Sequence, residues 1–113
     1  ALAAASWGSW RERAPTKSKA VAQHILVDSE AQASFLLQQL TSGAQSTFAA
    51  LASEYSLCPS KERGGELGVF VPGDMAEDFD AFVFSESTPV GVPLGPLKTI
   101  FGWHVVLITE RTL

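Results

Sequence analysis

The chain contains few of the residues from which covalent or metal-bound sites are built. Its 113 residues include one cysteine and two histidines. One cysteine cannot form an internal disulfide, and these three residues lie far apart, without the spacing of metal ligands. We therefore expect no metal site and no cofactor. The single cysteine identifies no redox compartment.

The chain also lacks a large excess of charge of one sign and a long apolar run. The net charge is −4 and the eight Lys and Arg residues are scattered, which argues against nucleic acid as a partner. No apolar run approaches the about 20 residues needed to cross a bilayer, so we expect no membrane contact. We expect a soluble monomer, with a cytoplasmic or organellar location favoured over secretion. A removed targeting segment stays open as an alternative.

The chain does contain enough apolar sequence for one domain. Hydrophobic residues make up 46% of it, and a chain of this length can bury a core without disulfides. Residues 1–19, with Trp7 and Trp10, are typical of a flexible tail or linker; a transit-peptide remnant or a partner-binding segment is the alternative. Residues 20–113 form the predicted domain.

Apolar periodicity, helix caps and Pro59 together predict four strands and four helical segments. The predicted strands are 21–27, 66–70, 94–99 and 102–109. The helical segments run from a cap at Asp28 or Ser29 to Gly43, from Ser46 or Thr47 to Tyr55, from 59 to 63, and from 76 to 83. In the last strand, positions 104, 106 and 108 share one face and positions 103, 105 and 107 the other. Strands interrupted by helices and closed by a hairpin indicate an α+β domain.

The ionisable residues allow two interpretations. His24 and His104 lie in apolar strands that we predict to be central, where a lone histidine is usually structural. Two such histidines, with a thiol on the glycine-rich stretch 58–75, favour a functional site instead. Cys58 alone is more often a small buried hydrophobe than a nucleophile. Met75 and Phe79, one helical turn apart, are also consistent with plain core packing.

Four segments carry a more specific resemblance. They are Gln-His-Ile-Leu-Val at 23–27, Phe-Ala-Ala-Leu-Ala-Ser-Glu-Tyr-Ser-Leu-Cys-Pro-Ser at 48–60, Gly-Gly-Glu-Leu-Gly-Val-Phe at 64–70 followed by Gly-Asp-Met, and Lys-Thr-Ile-Phe-Gly-Trp-His-Val-Val at 98–106. In this order they resemble the parvulin family of peptidyl-prolyl cis-trans isomerases over about residues 20–111. The match is to the small bacterial type of parvulin domain.

The resemblance implies a fold, an activity and a set of site residues. The fold is a parvulin/FKBP-like α+β domain with a four-stranded antiparallel sheet surrounded by four helices. The activity is rotation about Xaa-Pro bonds, with proline-containing peptides or unfolded proteins as substrates. The implied catalytic residues are His24, Cys58, Thr99 and His104. The implied substrate-binding residues are Leu67, Met75, Phe79 and Phe101, with the first three forming a pocket for the proline ring.

Departures from the family pattern limit this inference. The phosphate-directed parvulins insert a long basic loop after the first strand, whereas Asp28, Ser29 and Glu30 lead directly into a helix here. We therefore predict no selectivity for phosphoserine or phosphothreonine, and a mild preference for uncharged or apolar residues before proline.

Alternatives to an active isomerase, and two roles for Cys58, also stay open. The alternatives are a catalytically weak peptide-binding or chaperone module of the same fold, and a cysteine-dependent enzyme that uses Cys58 with a histidine. Cys58 either attacks the carbonyl or joins His24, His104 and Thr99 in a hydrogen-bonded network. We favour the network, because rotation needs no covalent intermediate.

Overall fold

The structure is a computed structural model that describes residues 18–43 and 45–113. The predicted tail, with Trp7 and Trp10, lies outside the described residues except for its last two positions. The first strand begins at Lys19, two residues before its predicted start. The division into tail and domain at residues 19 and 20 therefore stays a prediction.

The described residues form a four-stranded sheet with helical segments on both faces. The elements are β1 (Lys19–Val27), α1 (Glu30–Thr41), α2 (Phe48–Tyr55), a 3-10 helix (Pro59–Arg63), β2 (Glu66–Phe70), α3 (Glu77–Val83), β3 (Pro93–Thr99) and β4 (Gly102–Thr112). The strand order is β2-β1-β4-β3, and every pairing is antiparallel. This confirms the predicted α+β fold and antiparallel sheet. The described residues form three α-helices rather than the four helices that the resemblance implied, because the segment 59–63 is a short 3-10 helix.

Side-chain caps decide where the first two helices begin. Ser29 Oγ accepts a hydrogen bond from the Gln32 amide at 3.1 Å, so Ser29 and not Asp28 caps α1. Thr47 Oγ1 accepts from the Ala50 amide at 3.1 Å and caps α2 in the same way. Each cap satisfies an amide that the helix itself leaves unpaired. None of the described helices is both long and apolar enough to span a membrane.

The two faces of the sheet carry separate cores. On one face, α1 and α2 cover Ile25, Val27 and Val105, and Trp103 and Leu107 pack against this core. On the other face, Phe79 and Val83 of α3 cover Ala22, Val106 and Ile108. The predicted alternation along β4 is therefore confirmed. It leaves His104 on the face with α3.

The central pair, β1 and β4, fixes the relation between the two histidines. His24 lies opposite Val106, and Leu26 lies opposite His104. The histidines are therefore diagonal neighbours on adjacent strands, a relation that brings long side chains within reach of each other. Pairing continues to Lys19 opposite Thr112, past the apolar part of both strands.

The glycine turn before β2 holds the backbone of His24 in place. The His24 amide donates to the Gly65 carbonyl at 2.9 Å. Gly65 has φ +87°, and a Cβ there would lie 2.5 Å from the His24 carbonyl oxygen. Only a residue without a Cβ allows this close approach.

Substitution of Gly65 by alanine should therefore destabilise the protein more than the same change at Gly43. Both positions have nearly the same left-handed φ, +87° and +85°, but no atom of the described residues lies within 4 Å of a Cβ at Gly43. Both variants should lose about 1–2 kcal/mol of unfolding free energy from the backbone conformation. Gly65→Ala should lose a further ~1–3 kcal/mol from the steric overlap. Urea unfolding measures both, and equal losses would contradict this account.

Candidate active site

A cavity of about 300 Å³ opens on the face of the sheet that α3 partly covers. Its lining residues are His24, Leu26, Cys58, Pro59, Leu67, Met75, Ala76, Phe79, Phe101 and His104. The list includes seven of the eight residues that the resemblance implied. The eighth, Thr99, lies behind His104 as its hydrogen-bond partner.

The two histidines form the polar part of the cavity wall. Their rings stack with centroids 5.1 Å apart and planes inclined by 21°. The two Nδ1 atoms lie 3.0 Å apart, so one of them donates a hydrogen bond to the other. Such a bond requires one protonated and one bare nitrogen, and it therefore excludes a pair of imidazolium ions.

Thr99 determines which tautomer best satisfies this pair. Its Oγ1 accepts from the Phe101 amide at 3.1 Å and lies 2.7 Å from His104 Nε2. If the hydroxyl donates to Nε2, His104 carries its proton on Nδ1 and donates to His24. His24 then carries its own proton on Nε2. We assign this arrangement because it uses every polar group of Thr99 and His104.

One polar atom of the site has no partner among the described residues. His24 Nε2 is buried and makes no hydrogen bond there. A buried polar group without a partner typically costs about 1–3 kcal/mol. Such groups persist where function or surrounding structure holds them in place.

Burial keeps both histidines neutral near pH 7. His24 is 6% exposed and His104 is 3% exposed. Burial, and then the neighbouring His104, lower the pKa of His24 to about 4. Burial alone lowers the pKa of His104 to about 4. The cause in both cases is that a charged imidazolium would lose its hydration.

Phe79 joins the histidines to the apolar wall. Its ring meets His24 nearly edge-on, with centroids 5.7 Å apart and planes at 84°. It meets His104 at 5.4 Å and 64°. These contacts fill the space beside both imidazoles and help to exclude water from them.

A bulge in β2 turns Leu67 toward the cavity. Val21 pairs with Val69, and Gln23 pairs with Glu66, so three steps along β2 match two along β1. Gly68 within this interval has φ +74°. Without the bulge, Leu67 and Phe70 would point to opposite faces, because they are three residues apart. With it, both pack on the face of α3.

Ser56 positions the thiol-bearing residue. Its Oγ accepts the Leu26 amide at 3.1 Å and the Cys58 amide at 3.3 Å. The Leu57 amide also donates to the Leu26 carbonyl at 2.8 Å. The segment that carries Cys58 is therefore attached to the end of β1, which places the thiol at the cavity wall.

The predicted hydrogen-bonded network contains three of its four proposed members. His24, His104 and Thr99 are joined by hydrogen bonds of 3.0 and 2.7 Å. Among the described residues, no hydrogen bond links the Cys58 thiol to this group, although Cys58 lines the same cavity. Cys58 is partly exposed and unpaired with another cysteine. Its catalytic role, like those of the other seven residues, stays a prediction.

Sequence reasoning missed four residues that shape the site. Leu26, Pro59 and Ala76 line the cavity, and Ser56 positions two of its lining residues. Leu26 could have been found, because it is two residues from His24 and so shares its face. Pro59 and Ala76 adjoin predicted site residues, whereas nothing in the sequence indicates that Ser56 bonds to β1.

An antiparallel α+β domain with paired histidines beside an apolar cavity defines the class of parvulin-type isomerase domains. A family model described as the PPIC-type PPIase domain matches residues 11–112, so the chain belongs to this family. The family match therefore reaches into the segment that we predicted to be a tail.

Individual relatives give the same result. Foldase protein PrsA 4 of Bacillus cereus is 41% identical over 96 residues, which cover 84% of this chain and 33% of that protein. The crystal structure of PrsA from Bacillus anthracis has a TM-score of 0.77 and 32% identity, covering 86% of this chain and 43% of that chain. NmPin, the parvulin of Nitrosopumilus maritimus, has a TM-score of 0.71 and 31% identity, covering 85% of this chain and 100% of that chain. The chain thus spans about a third of the length of the first relative and all of the last.

The stability of the domain should fall as the pH decreases from about 6.5 to about 4. In the unfolded chain both histidines take up protons near pH 6.5, whereas in the folded protein their pKa values lie near 4. The unfolded state therefore binds more protons in this window and gains stability relative to the folded state. Urea-unfolding midpoints between pH 7 and pH 5 measure the effect.

Single variants give the matched control for this pH dependence. His24→Gln and His104→Asn each remove one of the two titrating groups. Each variant should show about half of the wild-type dependence of unfolding free energy on pH over this range. A wild-type stability that stays constant between pH 7 and pH 5 would contradict the neutral, buried pair.

Proposed function

We propose that this domain catalyses cis-trans isomerisation of Xaa-Pro bonds in peptides or unfolded proteins. The observation that carries the proposal is the apolar cavity beside two neutral, hydrogen-bonded histidines. Membership of the PPIC-type family supports it. The names foldase protein and peptidyl-prolyl cis-trans isomerase, which relatives carry, are also consistent with it.

The reaction needs no bond to be broken. Rotation about a peptide bond must overcome a barrier of about 18–20 kcal/mol, because twisting removes amide resonance. A catalyst has only to bind the twisted amide more tightly than either planar form, and each ~1.4 kcal/mol of that preference gives a tenfold rate increase. Neither a cofactor nor a nucleophile is needed for such a preference.

The apolar wall would hold the proline ring. Leu67, Met75 and Phe79 lie on one side of the cavity, from the β2 bulge to the first turns of α3. With the ring held there, the preceding carbonyl can rotate relative to it. When the ring side of the peptide bond is held, only the carbonyl side has to rotate, and it does so next to protein groups whose positions are fixed.

The histidine pair would set the electrostatics next to the rotating carbonyl. Because both rings are neutral, the carbonyl meets dipoles and an apolar surface rather than a full charge. A planar amide is more polar than a twisted one, so removing water from it favours the twisted form. The Thr99 hydroxyl keeps the rings oriented through His104.

The position of Cys58 favours a non-covalent role. A thiol becomes a good nucleophile when an adjacent base takes its proton. Among the described residues, neither histidine forms a hydrogen bond with the thiol, and both are engaged with each other. We therefore assign Cys58 to the wall of the cavity, and a cysteine-dependent hydrolase or transferase is disfavoured.

Met75→Ala should lower kcat/KM for a short Leu-Pro peptide at least about tenfold. The change removes apolar contact with the ring, and contacts of this size in a binding pocket are worth about 1–3 kcal/mol. NMR exchange spectroscopy on the peptide measures the rate. Val92→Ala is the matched control, because Val92 is a partly exposed apolar residue that does not line the cavity. If the wild type binds the peptide without accelerating exchange, the domain is a peptide-binding or chaperone module.

The same assay separates the two roles of Cys58. Cys58→Asp should retain substantial activity, within about tenfold of wild type, because a carboxylate can replace a polar group but cannot repeat thiolate attack. Iodoacetamide labelling reports whether the thiol is accessible. Complete loss of activity in Cys58→Ser together with a trapped covalent adduct on the wild type would establish the covalent route.

We also propose that the domain does not select a phosphorylated residue before proline. Among residues 18–43 and 45–113, none that lines the cavity is lysine or arginine, so these residues offer no cation there to pair with a phosphate. Peptides with Leu, Glu or phosphoserine before proline test this. The Leu peptide should have the highest kcat/KM, and a clear preference for Glu and phosphoserine would refute the proposal.

A further inference from the structure

Three large apolar side chains are exposed on residues that line the cavity or directly adjoin a lining residue in sequence: Phe101 lines it, Ile100 precedes Phe101, and Leu57 precedes Cys58. Ile100 is 87% exposed, Phe101 is 65% exposed and Leu57 is 62% exposed. We call these three residues the flanking rim. Apolar groups that cluster in this way on a surface typically mark a site of contact with another molecule.

The two segments that carry the flanking rim both approach one cavity residue, Leu26. The Leu57 amide donates to the Leu26 carbonyl at 2.8 Å. Gly102 directly follows Phe101, and a Cβ at Gly102 would lie 3.3 Å from Leu26 Cδ1. Leu26 itself lines the cavity, as does Phe101. Phe101 therefore belongs to both the rim and the cavity wall.

The hairpin tip that carries two of these residues is held in a fixed position. Thr99 pairs with Gly102, which leaves only Ile100 and Phe101 in the turn. The Phe101 amide donates to Thr99 Oγ1 at 3.1 Å, and the same oxygen contacts His104 at 2.7 Å. The tip is thus attached to the histidine pair. A preorganised surface loses less entropy on binding than a mobile one.

The residues in this turn are not those that a hairpin turn favours. Two-residue hairpin turns prefer Asn, Asp and Gly, because these tolerate the required backbone angles. Here Ile100 and Phe101 instead place two large apolar side chains at an exposed tip. A departure from the usual turn residues commonly marks a functional position.

The nearest cation in this hairpin does not reach the flanking rim. Lys98, two residues before Ile100, places its Nζ over the Trp103 ring, 5.6 Å from the centroid. Trp103 packs on the opposite face of the sheet, with α1 and α2. The three rim side chains are themselves apolar, which suits an uncharged, apolar occupant.

We propose that the flanking rim binds an aliphatic or aromatic side chain of the same polypeptide whose proline occupies the cavity. This inference rests on the proposed isomerase function. An extended chain advances about 3.3 Å per residue, so a residue two positions from the proline has left the cavity and passes over its mouth. The rim then selects unfolded segments in which a large apolar residue lies near a proline.

Three peptides test the proposal. The first is Ala-Ala-Leu-Pro-Ala-Ala, and the other two replace by Phe the alanine two positions before or two positions after the proline. For the wild type, one of the two Phe placements should raise kcat/KM for isomerisation at least fivefold over the first peptide. The double variant Leu57→Ser/Ile100→Ser should lose this gain and act on the first peptide within twofold of wild type.

A second double variant controls for general changes in surface polarity. Val90→Ser/Val92→Ser alters two apolar residues that are 42% and 44% exposed and do not line the cavity. It should keep the wild-type gain. No gain with either Phe placement, or a gain that persists in Leu57→Ser/Ile100→Ser, would overturn the proposal.

The remaining outcomes distinguish a contact between copies, failure of the isomerase function and failure of the flanking subsite alone. Sedimentation velocity that shows a wild-type dimer and a monomeric Leu57→Ser/Ile100→Ser variant would overturn the proposal, because the rim would then be a contact between copies. A wild type that accelerates none of the three peptides would refute the isomerase function itself. Activity on the first peptide without a gain from Phe would refute only the flanking subsite.

Discussion

The hydrogen bond between His24 and His104 is the interaction on which the arrangement of the site depends. It joins the central strands across one face of the sheet, with the two Nδ1 atoms 3.0 Å apart. The bond excludes two charged rings, and burial keeps both rings neutral near pH 7. The neutral rings in turn allow apolar residues to approach from α3 and β2 without facing a buried charge. The polar and apolar parts of the cavity are therefore compatible because neither carries a net charge.

Much of this arrangement could be predicted from sequence. The periodicity of apolar residues located all four strands and three of the helical segments, since each buries one face or one stripe. Pro59, a residue that favours the first position of a helix, indicated the fourth at 59–63. The two histidines could be assigned to central strands because their neighbours are apolar on both sides. The resemblance to parvulins then indicated eight site residues, and seven of them line one cavity.

The remaining features depend on pairings between distant segments. The bulge in β2 follows from its register with β1, and Gly68 alone indicates only that a left-handed residue is possible there. Strands β1 and β4 extend beyond their apolar patterns because they pair with each other as far as Lys19 and Thr112. The attachment of Ser56 to Leu26 joins residues 30 positions apart, and no local pattern encodes it.

Because of that attachment, the backbone structure around residue 58 does not depend on its side chain. The backbone of Cys58 is held through its amide by Ser56, and Leu57 is held by the carbonyl of Leu26. Neither bond involves the thiol. The side chain at this position can therefore change without moving the segment that carries it. The backbone of the cavity wall stays the same, and only the reactivity of the side chain differs. A single substitution at position 58 therefore changes the chemistry of the cavity wall while the backbone that carries it stays in place.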